Sequence, residues 1–559
     1  MGNIRKSIEY ICKQIGHRAP GSKNEYECAG YLKERLEKMG LDVCMEEFDS
    51  PSHIATSSFL ISVEDNKKFT SLPVQFSPVG KVEGELVFLG SADTPLPETE
   101  QIKGRIGLLL SETDRFTRHR TVISLEERGL IGLVVVSSHF GTIDTKVVRE
   151  PDIKMPVVAV SMEDGYELKR YEGKKFIMSV EGEKEKRNKS QNVVVKIEGK
   201  SKEWFVIGAH YDSTPFIEGA LDNASGTAVV LEVARILSQK RMNNTVYILF
   251  TGSKEYGGND CTGRGAQNFF KRRTAEIKHC TGYIDVDGVG DITGIPTLII
   301  DGNERFKSFV RGITLSQRYQ IKKRESPGGD NGVAYQYGVP YIWFTDAILF
   351  GKNYLHTTYD RVELIDFDKL EVYVNDVVKV AEEMDRQGCF FPYLEDRGIT
   401  IRQARFSDIP SILEITRLAF EGYSLGKIQE EFYGEKLGGK EWYEYKNMEV
   451  EGYFKGNIYC CIVAEIEGKI VGYATYYKDG ERGIGTIGNN AVHPSYQGRG
   501  IGTLLQKEIK RRMEEDGFKR FSVSTLSIDI PAQKMYEKMG YKKVVDTIHY
   551  MKKQDKDEK

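Results

Sequence analysis

Apolar and polar residues alternate along this chain in several rhythms, and the changes between them divide it. Over residues 1–50 the pattern is helical, then extended: MGNIRKSIEYICKQ reads as an amphipathic helix, Glu25–Met39 repeats apolar residues at Tyr26, Ala29, Leu32 and Leu36, and Leu41–Phe48 is extended. Arg18-Ala-Pro-Gly-Ser punctuates between the helices. From about residue 51 short β-like runs take over. There GRIGLLLSETDRFTRHRTVISLEERGLIGLVVVS (104–137) reads as strand, helix, strand, and MPVVAVSMEDGYELKRY follows at 155–171. The charged run EGEKEKRNKS (181–190) reads as a solvated turn or short linker. Strand–helix alternation resumes at Asn192 and runs to about 388, including the apolar strand VYILFTG (246–252) and a helix Phe367–Met384 with Asp366 as its N-cap. GCFFPYLEDRG (388–398) interrupts, and ITIRQA (399–404) opens a second α/β unit.

The polar residues that break this pattern collect at strand ends. WFVIGA runs into His210 and Asp212, and Asp222-Asn-Ala-Ser-Gly opens a helix Ala224–Leu237. Ligands in open α/β sheets gather beyond the carboxyl ends of strands, so His210 and Asp222 are placed to converge on a metal; a buried His paired with a nearby Asp is the alternative. Glu255 in FTGSKEYGG, Asp285 in YIDVDGVG and His356 in YLHTTYD stand in similar places. Two His, two Asp and one Glu suit zinc or a similar divalent ion. Residues 51–189 carry no His/Asp/Glu cluster of catalytic spacing and read as a non-catalytic insert.

GAHYDS, LDNASG, KEYG, DVDG and HTTYD, in that order, resemble the metal-binding motifs of the dizinc aminopeptidase family, which also contains glutamate carboxypeptidases and glutaminyl cyclases. HRAPGSKNEYECAGYL fits it too, and GDNGVAYQYGVP (329–340) does so less closely. The resemblance implies one zinc at His210 and Asp285, a second at Glu255 and His356, and Asp222 bridging. It makes Asp212 the partner that orients His210, with Asp360 placed similarly after His356. KGRIGLLL, RGLIGLVVVS and MPVVAVS resemble the protease-associated domain that many members carry, which implies a lid or substrate-shaping role for the insert. The chain departs from the family at Lys254, where a general-base glutamate is usual. Three readings follow: hydrolysis without that base, Glu218 or Asp287 in its place, or a site that binds metal and an anionic ligand without turnover.

A second pattern lies in NNAVHPSYQGRGIGTLLQKEIKRRM. A strand enters Gln497-Gly498-Arg499-Gly500-Ile501-Gly502, which opens an amphipathic helix, and such a turn binds anions through backbone N–H groups. With ITIRQARFSDIPSILEI, IVAEIEGKIVGYATYY and SIDIPAQKMYEKMGYKKV around it, the segment resembles the GNAT N-acetyltransferases. The resemblance implies acetyl-CoA with its pyrophosphate on that turn and its pantetheine arm near Ala491 and Val492. Tyr536 would be the general acid toward the thiolate. Asp529 stands where the family often has Asn, and Asn489 and Asn490 offer no general base.

Composition changes this picture little. The 559 residues suggest about three or four domains. A hydrophobic content of 40% and a formal charge of −3 describe a globular protein rather than a nucleic-acid or membrane-surface binder. No run approaches the roughly 18–20 apolar residues of a membrane span, and the N-terminus lacks a signal-peptide core. Eight cysteines (Cys12, Cys28, Cys44, Cys261, Cys280, Cys389, Cys460 and Cys461) lack ligand or disulfide spacing, and most read as reduced core residues in a cytoplasm.

The expected architecture is therefore a mixed-sheet α/β zinc aminopeptidase-like domain at 1–50 and 190–390, a β-rich protease-associated insert at 51–189, and an α/β GNAT domain at 398–555. The expected activities are hydrolysis of a peptide or amide by two zinc ions and transfer of acetyl from acetyl-CoA to an amine acceptor. A homo-oligomer is compatible with this reading. The alternatives are an impaired metal-binding module that serves the acetyltransferase, or a cyclase or deacylase on the same scaffold.

Overall fold

The computed structural model describes residues 2–91, 94–110, 115–147, 152–183, 187–256, 263–322, 328–347, 354–396 and 398–553. Its strands form three sheets. In the first, the order is Val43–Asp49, Lys189–Ile197, Thr245–Thr251, Trp204–His210, Cys280–Val286, Tyr341–Ala347, Ile295–Asp301 and Gln320–Lys322. Thr245–Thr251, Trp204–His210 and Cys280–Val286 are buried at every position, and they run parallel with one another and with Tyr341–Ala347. Helices on both faces require such continuous apolar runs. The flanking pairs are antiparallel except the outermost, Ile295–Asp301 with Gln320–Lys322, which is parallel. The four parallel strands therefore deliver their carboxyl ends, at His210, Thr251, Val286 and Ala347, to one edge.

Helices close on this sheet where the apolar spacing placed them. Lys23–Glu37 starts with Ser22 Oγ accepting from Glu25 N–H at 3.2 Å, and Phe367–Arg386 with Asp366 accepting from Lys369 N–H at 3.1 Å. The helix after Asp222 is Ser225–Leu237. Arg18, fully buried, donates to the carbonyls of Tyr211, Gly16, Glu218 and Gly219 at 2.7–3.0 Å and so holds the loop between His210 and Asp222. Arg18→Ala leaves those carbonyls without donors at a cost of about 1–3 kcal/mol each where they stay dry. A lowered Tm together with lost metal binding is the expected result, and an unchanged Tm would show that the loop holds without it.

Residues 55–182 build a second sheet, with Ile106–Leu110, Gly132–Val136 and Val157–Val160 parallel at its centre. The helices Arg115–Glu127 and Met162–Lys169 accompany it, and apolar clusters fill both faces. The third sheet runs Leu394–Asp396, Ile399–Gln403, Cys461–Ile466, Lys469–Asp479, Ile484–Val492 and Arg520–Ser522, antiparallel except for its last pair. It packs directly on the first. Tyr459 OH donates to Val339 O at 2.9 Å, and Arg405 to Thr274 O at 3.2 Å. Within GCFFPYLEDRG, which breaks the sequence pattern, Phe390 and Phe391 form a packed joint, buried against Phe306 and Tyr459.

Cys12, Cys28, Cys280, Cys460 and Cys461 are buried free thiols, whereas Cys44 is exposed on an edge strand and Cys389 half-buried. Cys261 lies outside the described residues. No helix among them is long and apolar enough to cross a membrane.

Candidate functional site

At the carboxyl edge of the first sheet each loop contributes a polar side chain. His210 ends its strand buried, with Nδ1 at 3.1 Å from the Asp212 carbonyl and 3.3 Å from its carboxylate, so Nδ1–H points to Asp212 and Nε2 into the site. The same Asp212 carboxylate accepts the N–H of Lys254 at 3.1 Å and of Glu255 at 2.8 Å. One buried acid thus orients the histidine and the neighbouring turn together. Glu25 supports that turn from the N-terminal helix: it accepts from Ser253 N–H, Gly21 N–H and Ser190 Oγ, and burial with Asp212 nearby pushes its pKa up to about 8. Ser253 and His356 both have positive φ, uncommon for such residues and concentrated at functional turns.

Asp222 is placed by Asp360, which accepts from Leu221 N–H at 2.7 Å and Asp222 N–H at 3.1 Å. Its two oxygens face two ways. Oδ1 lies 2.9 Å from His210 Nε2, and Oδ2 lies 2.9 Å from His356 Nε2, itself 3.2 Å from Glu255 Oε2. Asp287 completes the first side, 3.4 Å from His210 Nε2. Donor atoms of His210, Asp222 and Asp287 lie within 4.8 Å of one another, as do those of Asp222, Glu255 and His356. Two groups of mixed N/O donors sharing one carboxylate suit two zinc-like ions. Glu255 Oε1, buried and without a hydrogen bond, faces the Lys254 ammonium at 3.1 Å.

Two lysines enter the same space. Lys254 Nζ lies 3.0 Å from Asp287, 3.1 Å from Glu255, 3.4 Å from Asp222 and 3.0 Å from His210 Nε2. Burial opposes its charge, but Asp222, Asp287 and Glu255 outweigh burial and hold its pKa well above the ordinary lysine value. Lys146, on the loop before the residue-152 turn, pairs with Glu255 Oε2. Burial and Asp222 raise the Glu255 pKa, yet Lys146, Lys254 and His356 bring it well below the ordinary value. The loop carrying Lys146 is tied across the site: Thr145 Oγ1 donates to Pro215 O at 2.8 Å and Ile143 N–H to Thr358 Oγ1 at 3.2 Å, while Gln75, whose N–H donates to Thr145 O at 2.8 Å, reaches Glu255 O with Nε2 at 3.3 Å.

The third sheet holds the other candidate site. Ile484–Val492 pairs with Arg520–Ser522 only over Ile484–Thr486, so beyond Thr486 its outer edge, including Ala491 and Val492, opens away from the neighbouring strand. The turn Gln497–Gly502 follows and opens the helix Ile501–Glu515, whose first N–H groups have no intrahelical acceptor. Gly498 and Gly500 have φ of 76° and 81°, and a Cβ at either would project into open space. This is a backbone cradle of the kind a pyrophosphate occupies. Tyr536 is buried beside the opening and its OH accepts from Asn490 Nδ2 at 3.1 Å. Burial raises its pKa, which keeps the phenol protonated.

The description "Peptidase family M28" matches residues 192–381, and "Acetyltransferase (GNAT) family" matches residues 423–541. The chain joins an M28 peptidase domain to a GNAT acetyltransferase domain. Among curated relatives of the M28 part, the probable lipoprotein aminopeptidase LpqL of Mycobacterium tuberculosis is 26% identical over 274 residues, 46% of this chain and 52% of that protein. Aminopeptidase YwaD of Bacillus subtilis is 24% identical over 263 residues, 45% of this chain and 54% of that one. The chain thus spans about half the length of the curated relatives it matches. The solved zinc aminopeptidase BSAP from Bacillus subtilis shares the fold with a TM-score of 0.56 at 20% identity, covering 68% of this chain and 94% of that one. The likeness therefore reaches well beyond residues 192–381.

Within the M28 domain, His210, Asp222, Glu255 and His356 come together, with Asp212 against His210. Asp285 does not join them, and this corrects the sequence reading. It sits inside its strand, paired with Gly208 and Trp343, where its carboxylate accepts from Asn331 at 2.8 Å and Tyr283 OH at 3.3 Å. Burial and the neighbouring Asp287 push its pKa up to about 8. Asp287, just past the strand end, faces the donors instead. Glu218, considered as a base, is committed to Lys13 at 2.6 Å and to Val362 N–H at 3.0 Å. Asp360 serves Asp222 rather than the role suggested by its place after His356. Lys146, Arg18 and Glu25 were not read as parts of the site, because the partners that tie them to it lie 100 or more residues away. In the GNAT domain, Asp529 caps the Ile530–Lys538 helix, accepting from Ala532 N–H at 3.1 Å, and Glu449 accepts from Asn489 Nδ2 at 3.0 Å.

Proposed function

We propose that this chain is bifunctional: a zinc-dependent aminopeptidase-like hydrolase of peptide or amide bonds, formed by residues 1–50 and 190–390, and an acetyl-CoA-dependent N-acetyltransferase at 398–555. The observation that carries the hydrolase half is the pair of donor groups sharing Asp222 at the carboxyl edge of an M28 fold. Zinc bound there supplies Lewis acidity toward a scissile carbonyl and activates water. Asp212 holds His210 in one tautomer and fixes the Lys254–Glu255 turn. Lys254, held protonated, is a cation of the site rather than its base.

Residues 51–189 act as a protease-associated insert that shapes and closes this site. The Thr145–Lys146 loop across the donors supports that role. In the GNAT half, Gln497–Gly502 hold the cofactor's pyrophosphate, Ala491 and Val492 its pantetheine arm, and Tyr536 donates a proton to the departing thiolate. Glu449, beside Asn489, receives the acceptor's proton.

A second reading is favoured by the two ammonium groups among the donors. In it the M28 domain binds metal and regulates or feeds the acetyltransferase without turnover. The full chain, stripped of metal and incubated with a peptide library with and without zinc, separates the two. Zinc-dependent release of N-terminal amino acids supports the hydrolase. Metal binding without release of any product supports the regulatory module, and release of ammonia or water without chain cleavage points to a cyclase.

A further inference from the structure

The two donor groups are not equivalent: Lys254 reaches every member of one and also Glu255 of the other, which Lys146 meets as well. Lys254 Nζ is within 3.4 Å of every member of the His210–Asp222–Asp287 group. Its backbone cannot drift from that position: its N–H is bound by Asp212, and the preceding Ser253 N–H by Glu25. His210 turns Nδ1 toward Asp212, so that its Nε2 stands 3.0 Å from the ammonium and 2.9 Å from Asp222 Oδ1. Around Nζ stand one imidazole nitrogen and three carboxylates, the environment a cation requires.

Lys146 meets the other group differently. It pairs with Glu255 from a loop of the insert, at the end of a flexible four-carbon stem, and can leave when a stronger cation arrives. Charge points the same way. Asp222, Glu255 and Asp287 bring three negative charges to a space nearly closed to water, against the one ammonium of Lys254 once Lys146 has left. One divalent ion leaves the set neutral. A second would leave a surplus of two positive charges, and uncompensated buried charge is strongly disfavoured.

We propose that Lys254 is the resident cation of the His210–Asp222–Asp287 group, so that this chain holds one divalent ion, at Asp222, Glu255 and His356, where the donor set alone would hold two. This rests on the hydrolase reading of the site, which supplies the metal, but concerns the count of ions and not the reaction.

The test is metal content. Full-length protein is stripped with chelator, loaded with excess zinc, desalted and measured by mass spectrometry for zinc per chain. Cobalt(II) titration followed by its visible spectrum gives an independent count. The wild type is expected to hold one ion, and Lys254→Ala two. Should Lys254→Ala fail to fold, two variants in the wild-type background decide: Asp287→Asn keeps one ion, and His356→Ala keeps none. Two ions in the wild type overturn the proposal and leave the hydrolase reading standing. Loss of the single ion with Asp287→Asn, or one ion in folded Lys254→Ala, also overturns it. No ion in the wild type overturns both.

Discussion

Glu255→Gln is expected to lower zinc-dependent hydrolysis by about 10²–10⁴-fold, the equivalent of the ~3–5 kcal/mol that follows when one partner of a buried charge pair is removed. The substitution keeps the side chain's shape and removes only its charge. Glu255 is buried, faces His356 at 3.2 Å and pairs with both Lys146 and Lys254, so two ammonium groups lose a counter-ion at once. Metal affinity falls with activity, because the amide oxygen is a poorer ligand than the carboxylate. Zinc content, hydrolysis and Tm measured on one preparation separate the outcomes. Retained zinc with unchanged hydrolysis would remove Glu255 from the site, and a collapse of Tm alone would make it structural.

Tyr536→Phe is expected to lower the turnover of acetyl transfer by about 10²-fold or more, the scale of a lost general acid, while the KM for acetyl-CoA stays nearly constant. The ring packs in the apolar cluster under the Ile501–Glu515 helix, and phenylalanine preserves that packing. Only the hydroxyl is lost, which accepts from Asn490 at the open edge of the Ile484–Val492 strand. Thiol release from acetyl-CoA in the presence of an accepted amine is the readout. Unchanged turnover would show that the thiolate takes its proton from water or another group. A raised KM with unchanged turnover would make Tyr536 a binding residue.

The fusion is packed rather than strung together. Tyr459, Arg405, Phe390 and Phe391 join the two α/β units through buried contacts and hydrogen bonds, and the residues of 388–398 that read as an interruption are part of that joint. The insert likewise reaches the M28 donors through Thr145, Lys146 and Gln75. The resemblance implied a lid role for the insert but not which residue reaches in, since a lysine in a loop is ordinarily solvated and only the return of the chain across the sheet edge makes Lys146 a partner of Glu255.

Local chemistry was enough to place most elements. The strands Trp204–His210, Thr245–Thr251 and Ile484–Val492, and the helices Ser225–Leu237, Phe367–Arg386 and Ile501–Glu515, stand near where apolar period, caps and glycines put them. These signals act over a few residues and so are written in sequence. His210, Asp222, Glu255 and His356 were legible because they sit in short motifs at strand ends, and the glycine turn because positive φ restricts residue choice. The choice between Asp285 and Asp287 was not legible. Both belong to one motif, and which one faces the donors depends on where the strand leaves the sheet, which neighbouring strands decide through register. The ammonium of Lys254 among three carboxylates, the reach of Lys146 and the support from Arg18 and Glu25 were decided by tertiary structure alone. Each depends on groups brought together from distant parts of the chain, and their charges acquire their effect only once the fold has excluded water.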